Sequence, residues 1–363
     1  MKVGIITFHA SHNYGSMLQA YALQQTVLSL GHECEIINLR TSAQRKMYRP
    51  FYKQPGWIKK LKAIRYPLLA LDDVRKHHLF EKFLNTNYQL SSKTYSSADA
   101  LSKALHDYDC YISGSDQIWN TNCSDFSTSY FLDFVKKGRC IAYAPSMGPL
   151  PFRVDISSQF RLANLLEQYQ AISVREPNTA ERIKQLTGKN AIVTADPTLL
   201  LSTFQWSSLA GEKPLVKGEY ILLYTPWYEE YKELYEQAAA LAANNCINIV
   251  CTIPEAYNLW HKNPYFKYFT AVGPIEFLNL IKYSKSILCG SFHAVVFSLI
   301  FGKPFYAYKG MDDSRISHLL NHIGLEKCAD SIESTDSIDV FHAYDKLKPF
   351  IDSSRRFLKE SLQ

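Results

Sequence analysis

The sequence predicts an α/β protein built from two Rossmann-like domains that face each other across a cleft. Three observations lead to this prediction. The chain has 363 residues, more than one hydrophobic core usually organises. Short apolar strands alternate with helical patterns along most of the chain, which is typical of parallel sheets flanked by helices. The alternation fades once, around residues 200–218, where Gly, Lys and Pro collect in GEKPLVKG, and then restarts.

The first predicted domain covers residues 1–205. Val3–Phe8 is an uninterrupted apolar run, as expected of a buried parallel strand. A polar loop follows, then the helical segment SMLQAYALQQTVLSL, which Gly31 ends in the usual position after a helix. The strand Glu33–Leu39 completes a βαβ unit. The same alternation recurs through the apolar runs DCYI, CIAYA, AISV and AIVT.

The second predicted domain covers residues 215–340. Its elements are the strand YILLYT, the helix Tyr228–Ala243, the strand INIVCTI, the helix Pro274–Tyr283, the strand SILC and an apolar helix after it. Residues 341–363 are predicted to form a separate C-terminal helical segment.

Composition narrows the class of protein. The hydrophobic share of 47% and the charged share of 20% are those of a globular protein. No apolar run reaches the roughly 18 residues of a membrane span, and the opening MKVGIITF lacks the cleavage region of a signal peptide. The eight cysteines show no paired metal-binding or redox spacing. We therefore expect a reduced, cytoplasmic protein without a metal site.

The net charge of +6 is concentrated in one segment. Residues 40–82 hold 12 Lys and Arg against 3 Asp and Glu, which leaves 28 against 31 for the rest of the chain. Aromatic residues are interleaved with these cations. A solvated helical insertion, a contact with anionic lipid headgroups and a nucleic-acid contact all fit this pattern. The modest total charge makes nucleic acid the weakest of the three, so we predict no nucleic-acid partner.

Ligands of open α/β sheets bind beyond the carboxyl ends of the strands. This rule selects five loops, at residues 9–16, 113–119, 145–148, 175–178 and 290–293. In the first, Asn13-Tyr14-Gly15-Ser16 opens a helix, where free N–H groups attract phosphate or carboxylate. An ordinary helix start capped by Asn13 is the alternative. Neither a dinucleotide-binding fingerprint nor a P-loop is present in the sequence.

The loop Gly114-Ser115-Asp116-Gln117 directly follows a predicted strand. Asp116 and Gln117 suit hydrogen bonds to sugar hydroxyls, and Asp116 also suits acceptance of a proton. Trp119 offers an apolar face for a pyranose ring. An Asx turn in which Asp116 caps a helix is the alternative. Further along, the planar fork of Arg175 suits carboxylate or phosphate recognition, with pairing to Glu176 as the alternative.

His293 lies where the predicted strand Ser286–Cys289 hands over, through Gly290 and Ser291, to an apolar helix. A buried structural histidine is one interpretation. At a helix start, however, the helix dipole disfavours the imidazolium form, whereas a bound anion favours it. A histidine in this position can therefore act as a general acid that becomes charged when an anionic substrate binds.

With these loops located, the sequence resembles the polysaccharide pyruvyl transferase family. The matching pieces are VGIITFHASHNYGSMLQAYAL, ISGSDQIWN, YAPSMG, ISVRE, ADPTLLL and SFHAVVFSLIFGKPF, in order over some four-fifths of the chain. The resemblance implies a glycosyltransferase-B-like architecture. It also implies transfer of the enolpyruvyl group of phosphoenolpyruvate to a sugar, which forms a pyruvate ketal and releases phosphate. Phosphoenolpyruvate would be a co-substrate, and no cofactor or metal is expected.

The resemblance also assigns roles to residues of this chain. It implies that His293 is catalytic, that Arg175 contacts phosphoenolpyruvate, and that the second domain is the donor side and the first the acceptor side. Some family members carry an arginine where this chain has Ser291. The full sets that we predict are His293 and Asp116 for catalysis; Arg175, Ser291, Gly290, Asn13, Gly15, Ser16, Lys303 and Arg315 for the donor; and Gln117, Trp119 and Tyr14 for the acceptor.

The predicted acceptor is a glycan, and the basic segment suggests that it is lipid-linked and met at the inner face of the membrane. Two other functions stay open on the sequence. One is a nucleotide-sugar-dependent glycosyltransferase of the same architecture, and the other is a non-catalytic glycan-binding relative.

Overall fold

The computed structural model of the protein describes residues 1–50, 67–104, 106–148, 156–253, 256–257, 260–332 and 339–363, with the backbone alone for 67–70 and 156–158. The chain divides into two compact units. The first consists of Met1–Arg49, Leu84–Leu201 and Lys348–Gln363, and the second of Pro50–Phe83 and Ser202–Leu347. Of the predicted basic segment, residues 51–66 lie outside the described part.

The strands are β1 (Lys2–Ile6), β2 (Glu33–Ile36), β3 (Cys110–Ser113), β4 (Arg139–Ala142), β5 (Ala171–Val174), β6 (Ile192–Val193), β7 (Tyr220–Tyr224), β8 (Asn248–Cys251), β9 (Phe266–Tyr268), β10 (Ser286–Cys289) and β11 (Phe305–Ala307). The described helices of five residues or more are α1 (Tyr14–Ser29), α2 (Ser42–Met47), α3 (Pro67–Asn87), α4 (Ala98–Ser102), α5 (Ile156–Glu167), α6 (Pro177–Thr187), α7 (Thr203–Ala210), α8 (Lys232–Asn245), α9 (Pro274–Tyr283), α10 (Phe292–Ile300), α11 (Ser314–Ile323), α12 (Val340–Lys346) and α13 (Lys348–Ser361).

The first unit contains a six-stranded sheet in the order β2-β1-β3-β4-β5-β6, and every pair is parallel. The chain runs from β1 outward to β2 and then crosses to β3 on the other side of β1. This reversal makes the carboxyl ends of β1 and β3 the topological switch point, where open α/β sheets bind their ligands. The predicted loops 9–16 and 113–119 lie at these two strand ends.

The second unit contains a five-stranded parallel sheet in the order β11-β10-β7-β8-β9. Its switch point lies between β7 and β10. All nine residues of α10 are buried, which explains why its sequence is apolar apart from His293 and Ser298. The ring of Phe297 from this helix packs edge-on against Trp206 at 4.9 Å. The predicted helix over Tyr228–Ala243 is a short 3₁₀ turn at Glu229–Tyr231 followed by α8.

The last helix returns to the first unit. In α13, the hydroxyl of Ser354 accepts a hydrogen bond from the Ala195 N–H at 2.9 Å, and Arg355 donates to the Leu200 carbonyl at 2.6 Å. The first unit therefore ends after Leu201 and regains residues 348–363, whereas the sequence predicted a boundary after 205 and a separate C-terminal segment. An amphipathic helix carries no sign in its sequence of which core it covers.

No helix of the described residues is both long enough and apolar enough to cross a bilayer.

Candidate functional site

Two of the predicted loops meet at the switch point of the first unit. The hydroxyl of Ser16, in the first turn of α1, donates a 2.5 Å hydrogen bond to the Asp116 carboxylate. Gln19 lies one turn further along α1 and accepts from the Ser115 N–H at 3.1 Å, while its amide donates to the Thr7 hydroxyl at 2.9 Å. Side chains of α1 therefore hold the loop that follows β3 in place. One oxygen of Asp116 is occupied by Ser16, and its predicted role as a proton acceptor stays a prediction.

Arg175 follows β5 and lies among three carboxylates. Its guanidinium is 3.1 Å from Asp196, 3.6 Å from Asp116 and 3.5 Å from Glu176. All four side chains are buried. Buried charges of this kind are tolerated only when they are paired and hydrogen-bonded. The pairing that the sequence offered as an alternative is thus present, and the predicted contact of Arg175 with phosphoenolpyruvate stays a prediction.

Glu176 connects this cluster to the loop that follows β4. Its carboxylate accepts hydrogen bonds from Ser146 at 2.6 Å and from Thr179 at 2.5 Å. The Asp196 carboxylate in turn accepts from both the N–H and the hydroxyl of Thr198. The loops after β1, β3, β4 and β5, which the sequence selected, therefore form one hydrogen-bonded network together with the segment after β6. Within the described residues, no three His, Cys, Asp or Glu side chains are arranged to hold a metal ion.

The helix start at residues 13–16 is capped by its own side chain. The amide oxygen of Asn13 accepts from the Ser16 N–H at 3.2 Å, as in an ordinary N-cap. Tyr14 and Gly15 are buried in the first turn. Gln117 accepts from the Asn120 amide at 2.8 Å. The donor and acceptor contacts predicted for these residues stay predictions.

Trp119 belongs to the core of the first unit. Its indole is fully buried, stacks on Phe131 at 4.8 Å and meets Tyr169 edge-on at 5.7 Å. Its N–H donates to the Tyr130 carbonyl at 2.9 Å. An indole enclosed in this way has no face left for a pyranose ring, so the predicted acceptor role of Trp119 does not fit its position.

Asp125 is a further carboxylate near the carboxyl ends of the first sheet's strands, and it was not among the predicted site residues. It lies in the loop beyond Trp119 and accepts a 3.3 Å hydrogen bond from Gln44 of α2. Burial raises the pKa of Asp125, and the nearby Asp116 carboxylate raises it further. Burial, with Asp125 close by, also raises the pKa of Tyr48, whose ring stacks on His12 at 5.2 Å. No motif marks Asp125, because only the fold brings α2 beside this loop.

In the second unit, the predicted His293 turn lies at the switch point. β10 ends at Cys289, Ser291 is the N-cap of α10, and His293 is in the first turn of that helix. The Gly290 N–H donates to the carbonyl of Tyr224, the last residue of β7, at 3.2 Å. His293 is largely buried, and its ring meets Phe292 edge-on at 5.2 Å. The strand and the turn are where the sequence predicted them, but the helix, predicted over Ala294–Phe301, begins at Phe292, so that His293 lies within it.

Tyr231 covers this turn and was not selected from the sequence. Its hydroxyl donates to the Gly290 carbonyl at 2.9 Å. A Cβ atom at Gly290 would lie 1.9 Å from a ring carbon of Tyr231, so glycine is required by this close approach. Burial raises the pKa of Tyr231 to about 12, with Glu230 adding to the effect.

Lys303 and Arg315, both predicted to bind the donor, lie at opposite ends of the second sheet. Arg315 follows β11, pairs with Asp313 at 2.5 Å and lies 5.9 Å from the Phe292 ring centroid. Lys303 precedes β11 instead. The neighbouring Pro304 accepts from Ile287 near the start of β10, whereas Tyr308 donates to Cys289 at its end. Lys303 is therefore separated from His293 by the length of α10, about 14 Å, and its predicted donor contact does not fit. Burial lowers the pKa of Lys303.

The chain shares its fold with solved structures of enzymes named for a nucleotide sugar. The chain is similar to the UDP-GlcNAc 2-epimerase of Methanocaldococcus jannaschii (15% identity, TM-score 0.53, 98% of this chain and 94% of that chain). It is also similar to the UDP-GlcNAc 2-epimerase of Neisseria meningitidis (13% identity, TM-score 0.55, 100% of this chain and 99% of that chain). A third similar structure is the putative UDP-N-acetylglucosamine 2-epimerase of Listeria monocytogenes (10% identity, TM-score 0.57, 98% of this chain and 94% of that chain). At these identities the likeness concerns the fold alone, and it confirms the predicted glycosyltransferase-B-like α/β class.

The family is established by sequence. The profile of the polysaccharide pyruvyl transferase family matches residues 13–309, and the chain belongs to that family. The match begins at Asn13 and ends at Lys309, just after β11, so it covers β2 to β11 and includes Asp116, Arg175 and His293. No curated protein matches the chain by sequence. The resemblance seen in the sequence motifs is thereby confirmed.

Proposed function

We propose that the protein is a ketal-forming pyruvyl transferase. It moves the enolpyruvyl group of phosphoenolpyruvate onto one sugar of a polysaccharide or lipid-linked glycan and releases phosphate. The observation that carries this proposal is the position of His293, in the first turn of α10 at the switch point of the second sheet. That position combines an acid–base side chain with the partial positive charge of a helix start.

The proposed chemistry conserves protons. His293 donates a proton to the methylene carbon of phosphoenolpyruvate, which becomes a methyl group, and carbon 2 becomes electrophilic. One sugar hydroxyl attacks carbon 2, phosphate leaves with its bridging oxygen, and a second hydroxyl of the same sugar closes the ketal. The two hydroxyls release two protons, of which one restores His293 and the other leaves on phosphate. Asp116 is the residue predicted to accept a hydroxyl proton.

Phosphoenolpyruvate carries a carboxylate and a phosphate, so its binding needs positive charge. Arg315 is the cation at the same end of the second sheet as His293 for which the structure gives a contact to the His293 turn, through Phe292. Its fork already pairs with Asp313, which holds the guanidinium in a fixed direction. We assign Arg315 and the start of α10 to the anionic groups of the donor.

The decisive experiment measures phosphate release from phosphoenolpyruvate with a panel of galactose-, mannose- and hexosamine-type acceptors. We expect release with at least one acceptor, and loss of about 100-fold or more in His293→Ala. His322→Ala is the matched control, because His322 is an exposed histidine of the same unit. Full activity of His293→Ala would contradict the role of His293. Thermal stabilisation by UDP or UDP-sugars but not by phosphoenolpyruvate would favour a glycosyltransferase instead.

The lipid-linked acceptor is a separate part of the proposal and rests on the basic segment. Among its described cations, Arg45, Lys46 and Arg49 form one exposed group close together in the chain, and each contributes about 1 kcal/mol near an anionic membrane surface. The test is flotation with anionic vesicles at physiological salt. Charge reversal at these three positions should release the protein into the bulk phase. Equal flotation of wild type and variant would argue against this contact.

A further inference from the structure

One tryptophan of the second unit is exposed beside the His293 turn. Trp227 keeps 52% of its surface accessible, whereas Trp119 and Trp206 are fully buried. It lies in the loop of residues 225–231, which follows β7 directly. β7 and β10 are the neighbouring strands that flank the switch point of the second sheet. The loop that carries Trp227 and the turn that leads to His293 therefore leave the sheet side by side.

The loop that carries Trp227 contacts Gly290 at both of its ends. Before the loop, the Tyr224 carbonyl accepts from the Gly290 N–H at 3.2 Å. At its far end, the Tyr231 hydroxyl donates to the Gly290 carbonyl at 2.9 Å. Trp227 is three residues beyond Tyr224, so its Cα is within about 11 Å of that of Tyr224 even for an extended chain. The backbone that carries the indole therefore lies near the turn that leads to His293.

The residues around Trp227 are fixed although its own side chain is exposed. Tyr228, the next residue, is buried, and its ring packs against Tyr235 at 4.8 Å. The Tyr228 hydroxyl accepts from the Trp260 N–H at 3.2 Å. A large apolar side chain held open on a fixed backbone loses little entropy when a ligand covers it.

The charge around the platform indicates which kind of ring it receives. Glu229 and Glu230 are exposed and follow Trp227 after the buried Tyr228. Glu229 pairs with Lys232 at 2.6 Å. Glu233 accepts a hydrogen bond from Tyr308. Lys309 lies over the Tyr308 ring at 5.0 Å, so three carboxylates stand against two ammonium groups, and this excess of negative charge disfavours a nucleotide on the platform. Carboxylates accept hydrogen bonds from hydroxyls, and the indole face suits the apolar C–H face of a pyranose.

We propose that Trp227 is the platform on which the acceptor sugar stacks, with the neighbouring glutamates accepting hydrogen bonds from its hydroxyls. This inference rests on the proposed function for the identity of the sugar as acceptor. It moves aromatic recognition of the acceptor from Trp119, which lies in the core of the first unit, to the second unit. It also adds a specificity residue that no sequence motif indicated.

The test compares Trp227→Ala and Trp227→Phe with wild type in the phosphate-release assay. Trp227→Ala is expected to raise KM for the acceptor about 5–10-fold, the worth of one lost aromatic contact. KM for phosphoenolpyruvate and the thermal midpoint should not change, and Trp227→Phe should keep most of the acceptor affinity. Phe204→Ala is the control, because Phe204 is 79% exposed in α7 of the same unit. Unchanged acceptor KM in Trp227→Ala overturns the inference.

Binding measured without turnover separates this inference from the proposed function. Glycan acceptors are titrated against the tryptophan fluorescence of wild type and of Trp227→Phe. A glycan-dependent change that disappears in Trp227→Phe supports the platform even if no acceptor releases phosphate, in which case the proposed function alone fails. No glycan-dependent change, or a Trp227-dependent response to UDP instead of glycans, overturns the platform and leaves the pyruvyl transfer to be judged by phosphate release.

Discussion

Arg175 lies 3.1 Å from Asp196, and both side chains are almost completely buried. Asp116 and Glu176 approach the same guanidinium at 3.6 and 3.5 Å. One buried cation is therefore shared by three carboxylates. Removing it would leave several buried negative charges close together. This relationship gives Arg175 a structural task in the first unit, whatever contact it makes with a substrate.

Replacement of Arg175 by Gln is expected to destabilise the protein strongly. Removing one partner of a buried ion pair typically costs about 3–5 kcal/mol, because the opposite charge stays buried without compensation. The measurement is denaturant unfolding followed by circular dichroism. In the double variant Arg175→Gln/Asp196→Asn, part of the loss should be recovered, since one stranded carboxylate is removed as well. A stable Arg175→Gln protein with a raised KM for phosphoenolpyruvate would instead favour the donor contact predicted from the sequence.

The sequence located this site well at the level of strands and loops. The predicted runs Val3–Phe8, DCYI and AISV correspond to the parallel strands β1, β3 and β5, and the polar residues after these strands meet because parallel strands have their carboxyl ends on one side of the sheet. The ion-pair partners of Arg175 could be predicted only in part from the sequence. Glu176 is its neighbour in the chain, but Asp196 follows a different strand. Only the order of strands in the sheet brings that carboxylate within 3.1 Å.

Replacement of Gly290 by Ala is expected to displace Tyr231 from the His293 turn. The added Cβ would lie 1.9 Å from a Tyr231 ring carbon, so the ring must move and its hydrogen bond to the Gly290 carbonyl is lost. Overpacking of this kind costs about 1–3 kcal/mol. A double-mutant cycle with Tyr231→Ala checks the cause. Gly290→Ala should cost little once the ring has been removed, and additive losses would contradict the direct clash.

Arg315→Ala and Lys303→Ala are expected to differ sharply in their effect on donor binding. Arg315 lies at the same end of the second sheet as His293, whereas Lys303 lies at the opposite end. Loss of a charge-assisted contact with an anion should raise KM for phosphoenolpyruvate about tenfold or more in Arg315→Ala. Lys303→Ala should leave that KM within about twofold. The measurement is steady-state kinetics at saturating acceptor. A larger rise in KM for phosphoenolpyruvate in Lys303→Ala than in Arg315→Ala would contradict the assignment of Arg315.

Lys303 and Trp119 show where sequence proximity misleads. Lys303 is ten residues from His293, but those residues include nearly all of α10, which carries the chain back to the opposite end of the strands. Trp119 is three residues from Asp116, yet its ring turns into the core against Phe131. Spacing along the chain does not reveal the direction of a side chain that leaves a loop. The exposed Trp227 was missed because it lies between the predicted strand YILLYT and the predicted helix Tyr228–Ala243, and no motif marks this connection.

Asp125→Asn is expected to stabilise the protein at neutral pH. Burial and the Asp116 charge raise the pKa of Asp125, so the folded protein binds this proton more tightly than the unfolded chain does. Stability linked to Asp125 is therefore fully present at low pH and falls as the pH rises from the ordinary Asp range through the raised pKa. Asparagine stays neutral and still accepts from Gln44, so the loss is avoided. At pH 7 the thermal midpoint should rise by about 1–3 °C, and the difference should shrink toward pH 4.

Asp99→Asn, at an exposed carboxylate, is the control, and its difference from wild type should not shrink toward pH 4. An Asp125→Asn protein that is less stable than wild type at pH 7 and at pH 4 alike would contradict the expected cost of burying this charge.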